Sequence, residues 1–249
     1  SSAASDVYKR QTLTRTYRGT EADLRRNVHL FANEVLLQIT GKSGAFDTRL
    51  VFARRPSMGR KDVQLVDYDG ANLRRVSNGE GIAMLPTFGP SEIWYSRLTE
   101  FGMFITNSTS SDRPLIESEG LNMGISICDG RLFFTSTREG NPEIYSARLD
   151  GTDIKRLTNH PSIDVSPACG PNNQLAFVSD RHGGPQIFVM ARTGGEPRRV
   201  SFRGSHNQTP SWCQDPQQPI LAFTGRDEGM DIFTAVSYTH LTLPTSDLV

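Results

Sequence analysis

Between Leu50 and Phe233 the side chains alternate with period two in short runs, Leu132 with Phe134 and then Ile144 with Ser146, parted by clusters of Gly, Asn, Asp and Pro. Successive strand residues point to opposite faces, so such runs predict strands joined by tight turns. No stretch in that span carries apolar residues at helical spacing over ten or more positions. The runs also recur. Arg131 to Thr158 returns without a gap as Gln174 to Ser201, placing Leu132, Phe134, Ser136, Arg138, Gly140, Pro142 and Ile144 on Leu175, Phe177, Ser179, Arg181, Gly183, Pro185 and Ile187. A further copy starts at Leu221 and breaks off.

Upstream, Asp62 to Ser77 aligns with Glu143 to Thr158, and a degenerate copy between them begins at Ile93, Trp94 and Tyr95. A repeat of roughly 40–45 residues holding four short strands is the unit of a β-propeller blade. The expected fold class is therefore all-β, a propeller of which four repeats and a truncated fifth are present.

Ahead of the repeats the period changes. Leu24, Val28, Phe31, Val35 and Ile39 recur at helical spacing, with Thr20 and Asp23 as the start signal and Gly41 as the stop. Leu13 to Tyr17 alternates like a strand, so residues 12–44 read as a strand-helix remnant of an α/β domain, followed by an incomplete propeller over 45–234.

The ends read differently again. Asp6 to Gln11 is encodable by a DNA string whose reverse complement encodes Val-Ser-Tyr-Thr-His, found at Val236 to His240. The string resembles a transposase end sequence used in sequencing libraries, so residues 1–11 and 235–249 are expected to be adaptor-derived and the natural chain truncated at both ends.

Of the 249 residues, 27 are Lys or Arg and 27 are Asp or Glu. That balance, with no RNA-binding signature, argues against a nucleic-acid partner. No internal run is apolar enough to span a bilayer. The basic pairs Arg74-Arg75, Lys155-Arg156 and Arg198-Arg199 recur at one repeat position and read as solvated strand edges that block edge pairing. Cys128, Cys169 and Cys213 stand at about repeat spacing without a metal-binding pattern, and read as small buried hydrophobes with no disulfide framework.

Catalytic patterns are lacking. Ser126 in Gly-Ile-Ser-Ile-Cys has no nucleophile elbow, the histidines show no paired metal spacing, and no cofactor motif occurs. Asp180, Arg181 and His182 occupy the turn in which Ser-x-Arg-x-Gly recurs, which suits a structural role. Propeller geometry instead directs attention to the loops leading from one blade to the next, which gather on one face: Asn78 to Leu85, Glu119 to Gly124, Asn159 to Val165 and Phe202 to Thr209.

The junction Ile39 to Arg55, ITGKSGAFDTRLVFARR, followed by Val63 to Gly70, resembles the point in TolB-family proteins of the Tol-Pal system where an N-terminal α/β domain meets the propeller. Gly204 to Gln208 is similar as well, and the F-x-S-x-R-x-G pattern at Phe134 to Gly140 and Phe177 to Gly183 resembles TolB-like repeats generally. The resemblance implies a six-bladed parent fold in the periplasm of a Gram-negative bacterium. It further implies a non-enzymatic protein that binds the peptidoglycan-associated lipoprotein Pal, supports outer-membrane integrity and constriction, and meets other Tol proteins through an N-terminal region. It points to Ser205, His206, Asn207 and Gln208, with Asp164 and Val165, as partner-facing residues. Two alternatives stay open: the propeller half of a prolyl-oligopeptidase-like serine hydrolase, and a sugar- or metal-binding lyase of similar shape.

Overall fold

Strands dominate the computed structural model, which describes residues 13–110, 113–214, 217, 219–227 and 229–236. The described residues form two compact units, one reaching Val51 and including Leu65–Arg74, the other comprising Phe52–Gln64 and everything from Arg75 onward. The expected adaptor segments lie outside the described residues, except that positions 235 and 236 belong to the last strand.

In the first unit a single turn of 3-10 helix, Glu21–Asp23, leads into helix α1, Leu24–Thr40, which ends at left-handed Gly41. The Asp23 carboxylate accepts hydrogen bonds from the Thr20 backbone and hydroxyl at 2.8 and 2.9 Å, and these bonds hold its pKa below the usual carboxylate value. The junction motif has a physical reason here. Buried Asn33 on α1 donates to Asp47 at 2.5 Å and accepts from the Phe46 amide at 3.1 Å, so the chain after the helix folds back against it. Phe46 then meets Tyr68 edge to face at 5.9 Å. Residues 13–17, expected as a strand, form none: no described strand pairs with them, and a strand is defined by the neighbour it bonds to.

The strands group into five blade sheets, of which the first three are joined into one ten-stranded sheet by short parallel pairings of Lys61 with Ile82 and of Gly102 and Met103 with Gly120 and Leu121. The first comprises β1 (Arg49–Ser57), β2 (Arg60–Asp67) and β3 (Arg74–Arg75), and the second β4 (Ile82–Phe88), β5 (Ile93–Thr99) and β6 (Gly102–Asn107), with Ile116 bridged to Ile105 outside it. The third holds β7 (Gly120–Cys128), β8 (Arg131–Ser136), β9 (Glu143–Arg148) and β10 (Lys155–Arg156). The fourth holds β11 (Asp164–Cys169), β12 (Gln174–Ser179), β13 (Gln186–Ala191) and β14 (Arg198–Arg199), and the fifth β15 (His206–Trp212), β16 (Ile220–Arg226) and β17 (Met230–Val236). Neighbours within the third, fourth and fifth sheets are antiparallel, in chain order. The inner strands β4, β7, β11 and β15 line a common channel, which is the propeller arrangement.

Both faces of the middle strands are buried. Leu132 and Phe134 of β8 face a core with Trp94 and Ile105 of the second sheet and the bridged Ile116, whereas Phe133 packs with Leu175, Phe177 and Cys169 of the fourth. Ala176 and Val178 face Trp212, Leu221 and Phe223 of the fifth. Period two in this sequence therefore sorts residues between two dry seams, and each large side chain so buried contributes on the order of 1.5–3 kcal/mol.

The F-x-S-x-R-x-G pattern is the lock of the third and fourth blades. Phe134 pairs with Tyr145 across β8 and β9, their rings stacked at 6.0 Å, and the Arg138 guanidinium lies over both at 5.7 and 5.2 Å. One repeat on, Arg181 lies over Phe177 and Phe188 at 5.7 and 5.0 Å. Ser136 and Ser179 fix the two arginines by accepting from Nε at 3.0 and 2.9 Å. Gly140 and Gly183 close the turn at φ 98° and 89°, which side chains rarely tolerate.

The seams also revise the reading of the cysteines. Cys128 and Cys169 form a disulfide between the inner strands of adjacent blades, and Cys213 is free and exposed. Sequence spacing concealed the pair because the two residues are out of step by one position in the repeat. Cys128 corresponds to Gly170, and Cys169 to Trp212, as the bulges of β7, β11 and β15 align. Position 128 thus faces forward to the next blade and position 169 faces back. At the following seam the same two places are filled by Gly170 and Trp212, whose ring lies where a Cβ on residue 170 would be.

Replacing Cys128 and Cys169 together by Ser opens a loop of 41 positions, and should lower stability by about 4 kcal/mol in the chain-entropy picture. Urea unfolding under non-reducing conditions tests this; parent and double variant unfolding at the same midpoint would show that the bridge does not form.

Candidate functional site

The connections between blades leave an outer strand and cross to the next inner strand. Structurally they are shorter than their sequence suggests. Asp164 and Val165 already belong to β11, and His206, Asn207 and Gln208 to β15, so that of the six candidate residues only Ser205 lies in a loop. The reason is a bulge in every inner strand, with register shifts between Met84 and Thr87, Met123 and Ser126, Val165 and Ala168, and Gln208 and Ser211. Leu85, Gly124, Ser166 and Thr209 adopt left-handed φ of 53°, 67°, 56° and 52° at these points. A polar segment ahead of a bulge reads as loop, yet it pairs: Asp164 lies opposite Ser179 and Asn207 opposite Gly225.

Asn122, Asp164 and Asn207 are equivalent, and all three are fully buried. Each binds its blade to the preceding one or to its own lock. The Asn122 side-chain oxygen accepts from Ser136 at 2.8 Å and Arg138 at 3.3 Å. Asp164 takes Arg181 on both oxygens, at 3.0 and 2.8 Å. Asn207 donates to Gln186 of the fourth blade at 2.8 Å and to the Arg203 carbonyl at 2.8 Å. Its own oxygen is left without a partner, since Gly225 and Asp227 stand where the earlier blades have Ser and Arg.

A second set of residues organises the connections. Buried Glu143 accepts from Thr158 Oγ1 at 2.5 Å, Arg156 Nη2 at 2.9 Å and the His160 amide at 2.7 Å. Gln186 repeats this with Ser201 at 2.7 Å. The second member of the last two basic pairs is thus engaged inward, Arg156 and Arg199 donating through Nε to the Thr158 and Ser201 carbonyls, while Lys155 and Arg198 remain exposed; the expected solvated edge applies to one residue of these two pairs and to both of Arg74-Arg75, which are exposed. Asn141 Nδ2 donates to the His160 and Ser162 carbonyls at 2.8 and 2.7 Å, completing the tether of residues 159–163.

Burial pushes the Asp164 carboxyl above its ordinary value; bonds from Ser179 and Arg181 oppose this, and nearby Glu143 adds to it. The side chains with reach to a surface are fewer than the six candidates. Ser205 is exposed, His206 and Gln208 are half-buried, and half-buried Val165 packs against the seam with Trp212 and Phe223. Sequence reasoning missed Glu143 and Gln186, although the recurrence of Asp62, Glu143 and Gln186 with Ser77, Thr158 and Ser201 was visible in the alignment.

Towards the axis, a cavity of about 350 Å³ lies among the bulges. It is lined by Leu85, Met123, Pro167 and Pro210 with the hydroxyl residues Thr135, Ser166 and Thr209, and no charged residue contributes. Among the described residues no three of His, Cys, Asp and Glu are grouped to hold a metal ion, and no helix is long and apolar enough to cross a membrane. What the arrangement offers is a preorganised polar face around an uncharged channel, suited to holding a partner.

Residues 37–245 match the model of the TolB beta propeller domain. The chain is 33% identical over 160 residues to the Tol-Pal system protein TolB of Desulfosudis oleivorans, covering 61% of this chain and 36% of that protein. It is 32% identical over 169 residues to a TolB homolog of Chlorobium chlorochromatii, covering 65% and 38%. The chain therefore spans less than two fifths of the length of these relatives. Among solved structures, TolB from Acinetobacter baumannii superposes with a TM-score of 0.76 at 25% identity, over 88% of this chain and 57% of that one. The tricorn protease, at 13% identity and a TM-score of 0.53 over 75% of this chain and 20% of its own, shares the fold alone.

Because the folded pKa of Asp164 is raised, the folded chain holds this proton more tightly than the unfolded one. The destabilisation from its charge is complete above the raised folded value and is relieved as pH falls through it towards the ordinary range. Asp164→Asn lacks that relief, so acidification from pH 7 to pH 4 should lower its Tm more than the parent's, by about 2–4 °C for each 1 kcal/mol of relief. Equal losses in thermal melts at the two pH values would refute the assignment.

Proposed function

This chain belongs to the TolB β-propeller domain family, and from that premise we propose that it is a protein-binding propeller of the Tol-Pal envelope system. In this reading it works in the periplasm of a Gram-negative bacterium, docks the peptidoglycan-associated lipoprotein Pal, and supports outer-membrane integrity and constriction during division. It performs no reaction. Residues 12–44 are the tail of an α/β domain whose preceding part contacts other Tol proteins.

The observation carrying this reading is the tethering of the blade-connecting segments. Glu143 and Gln186 hold the turns after β10 and β14, while Asp164 and Asn207 hold the starts of β11 and β15. A face fixed in this way loses little conformational entropy on binding, which is how a surface without chemistry achieves affinity. Ser205, His206 and Gln208 make direct contact, Asn207 between them fixes their strand through Gln186 and the Arg203 carbonyl, and Asp164 and Val165 hold the start of the preceding inner strand beside the same face. The balance of acidic and basic residues is in keeping with a protein partner and not a nucleic acid.

The test is titration calorimetry of the chain with soluble Pal lacking its lipid. Replacing His206 and Gln208 by Ala should weaken binding about tenfold, or about 1.4 kcal/mol, with the melting temperature unchanged. Absence of heat with the parent chain, in a preparation that melts cooperatively, would reject the proposed partner.

A further inference from the structure

Phe202 breaks the repeat at a place where the other copies are polar. Ser77, Thr158 and Ser201 are equivalent, each hydroxyl oxygen accepting from a backbone amide at the same point of its blade, that of Val63, Ile144 or Ile187. The residues that follow are Asn78, Asn159 and Phe202. Both asparagines are used internally: Asn78 Oδ1 accepts from Arg97 at 2.6 Å and the Glu80 amide at 3.0 Å, and Asn159 Oδ1 accepts from Arg156 at 2.9 Å. In the fourth blade the equivalent arginine, Arg199, has no asparagine to bond. Its guanidinium instead lies over the Phe202 ring at 5.4 Å, and its Nε is anchored on the Ser201 carbonyl.

The exchange places an aromatic ring in water. Phe202 is 78% exposed, against full burial for Phe134 and Phe177 of the locks. The stack with Arg199 restrains the ring without covering it, because a cation on one face leaves the other face open. Arg203 follows directly, itself exposed and paired to Asp227 at 2.6 Å. An exposed aromatic held in place by one arginine and flanked by another has the composition of an interface centre, where aromatic residues and Arg are enriched.

We infer that Phe202 is the apolar anchor of the docking face, inserting into an apolar pocket of the partner protein that is bordered by carboxylates. The inference rests on the docking function proposed above. The apolar pocket is required by the open ring face, and the carboxylates by Arg199 and Arg203 on either side. Ser205, three residues on, would then lie at the rim of the same contact.

Phe202→Asn restores the residue of the sister blades, so the variant keeps a local sequence that the fold already accommodates twice. Binding of soluble Pal lacking its lipid, measured by calorimetry at 50 and 500 mM NaCl, should weaken at least tenfold in Phe202→Asn and only about threefold in Phe202→Leu. Arg203→Gln should lose part of the salt dependence that the parent shows. Parent binding with Phe202→Asn within twofold of it would overturn the anchor while leaving the docking function intact. No binding by the folded parent would overturn both. If Phe202→Asn melts below the parent by more than a few degrees, the comparison passes to Phe202→Leu, and equal affinity there overturns the anchor.

Discussion

Middle strands β8, β9, β12 and β13 are dry on both faces, so a blade of this protein cannot withdraw its apolar surface from water until another blade lies against each side. Everything else in the repeat serves that stacking. The large residues at one parity of β8 meet the blade before and those at the other parity meet the blade after. Stability is consequently a property of neighbouring pairs, as in other repeat architectures where each unit contacts only those beside it.

Stacked apolar faces alone would leave the blades free to slide, and the polar residues remove that freedom. A guanidinium over a cross-strand aromatic pair, pinned by a serine, ties two strands of a blade to the turn between them, and its remaining donors reach the inner strand. Buried charge-assisted bonds are strong only in a narrow geometry, so they set register in a way that dispersion between hydrocarbon surfaces does not. The disulfide between Cys128 and Cys169 adds a covalent tie at one seam, and Trp212 over Gly170 fills the corresponding place at the next.

The same polar network gives the candidate site its rigidity. Asn122, Asp164 and Asn207 are polar because they bond across their own blade or to the one before it, which is why they look like surface residues in a linear reading and are not exposed. Conversely Phe202, apolar and adjacent to a strand, looks like core and lies in water. Composition at these positions reports which bonds are made and says little about exposure.

Period and recurrence in the chain determined the strand-rich repeat, the approximate blade count, the helix from Leu24 to Thr40 and the family-like junction after it, because each follows from contacts between residues near in sequence. The helix start at Thr20 and Asp23 and its stop at Gly41 needed no distant partner to be read. Three outcomes depended on tertiary structure: the bulges that turn expected loops into inner strands, the pairing of Cys128 with Cys169, and the absence of a strand at residues 13–17. Each is decided by what lies across a sheet or a seam. A bulge is defined by its partner strand, a disulfide by the stagger between adjacent blades, and a strand by a neighbour to bond with, none of which the order of residues along one chain contains.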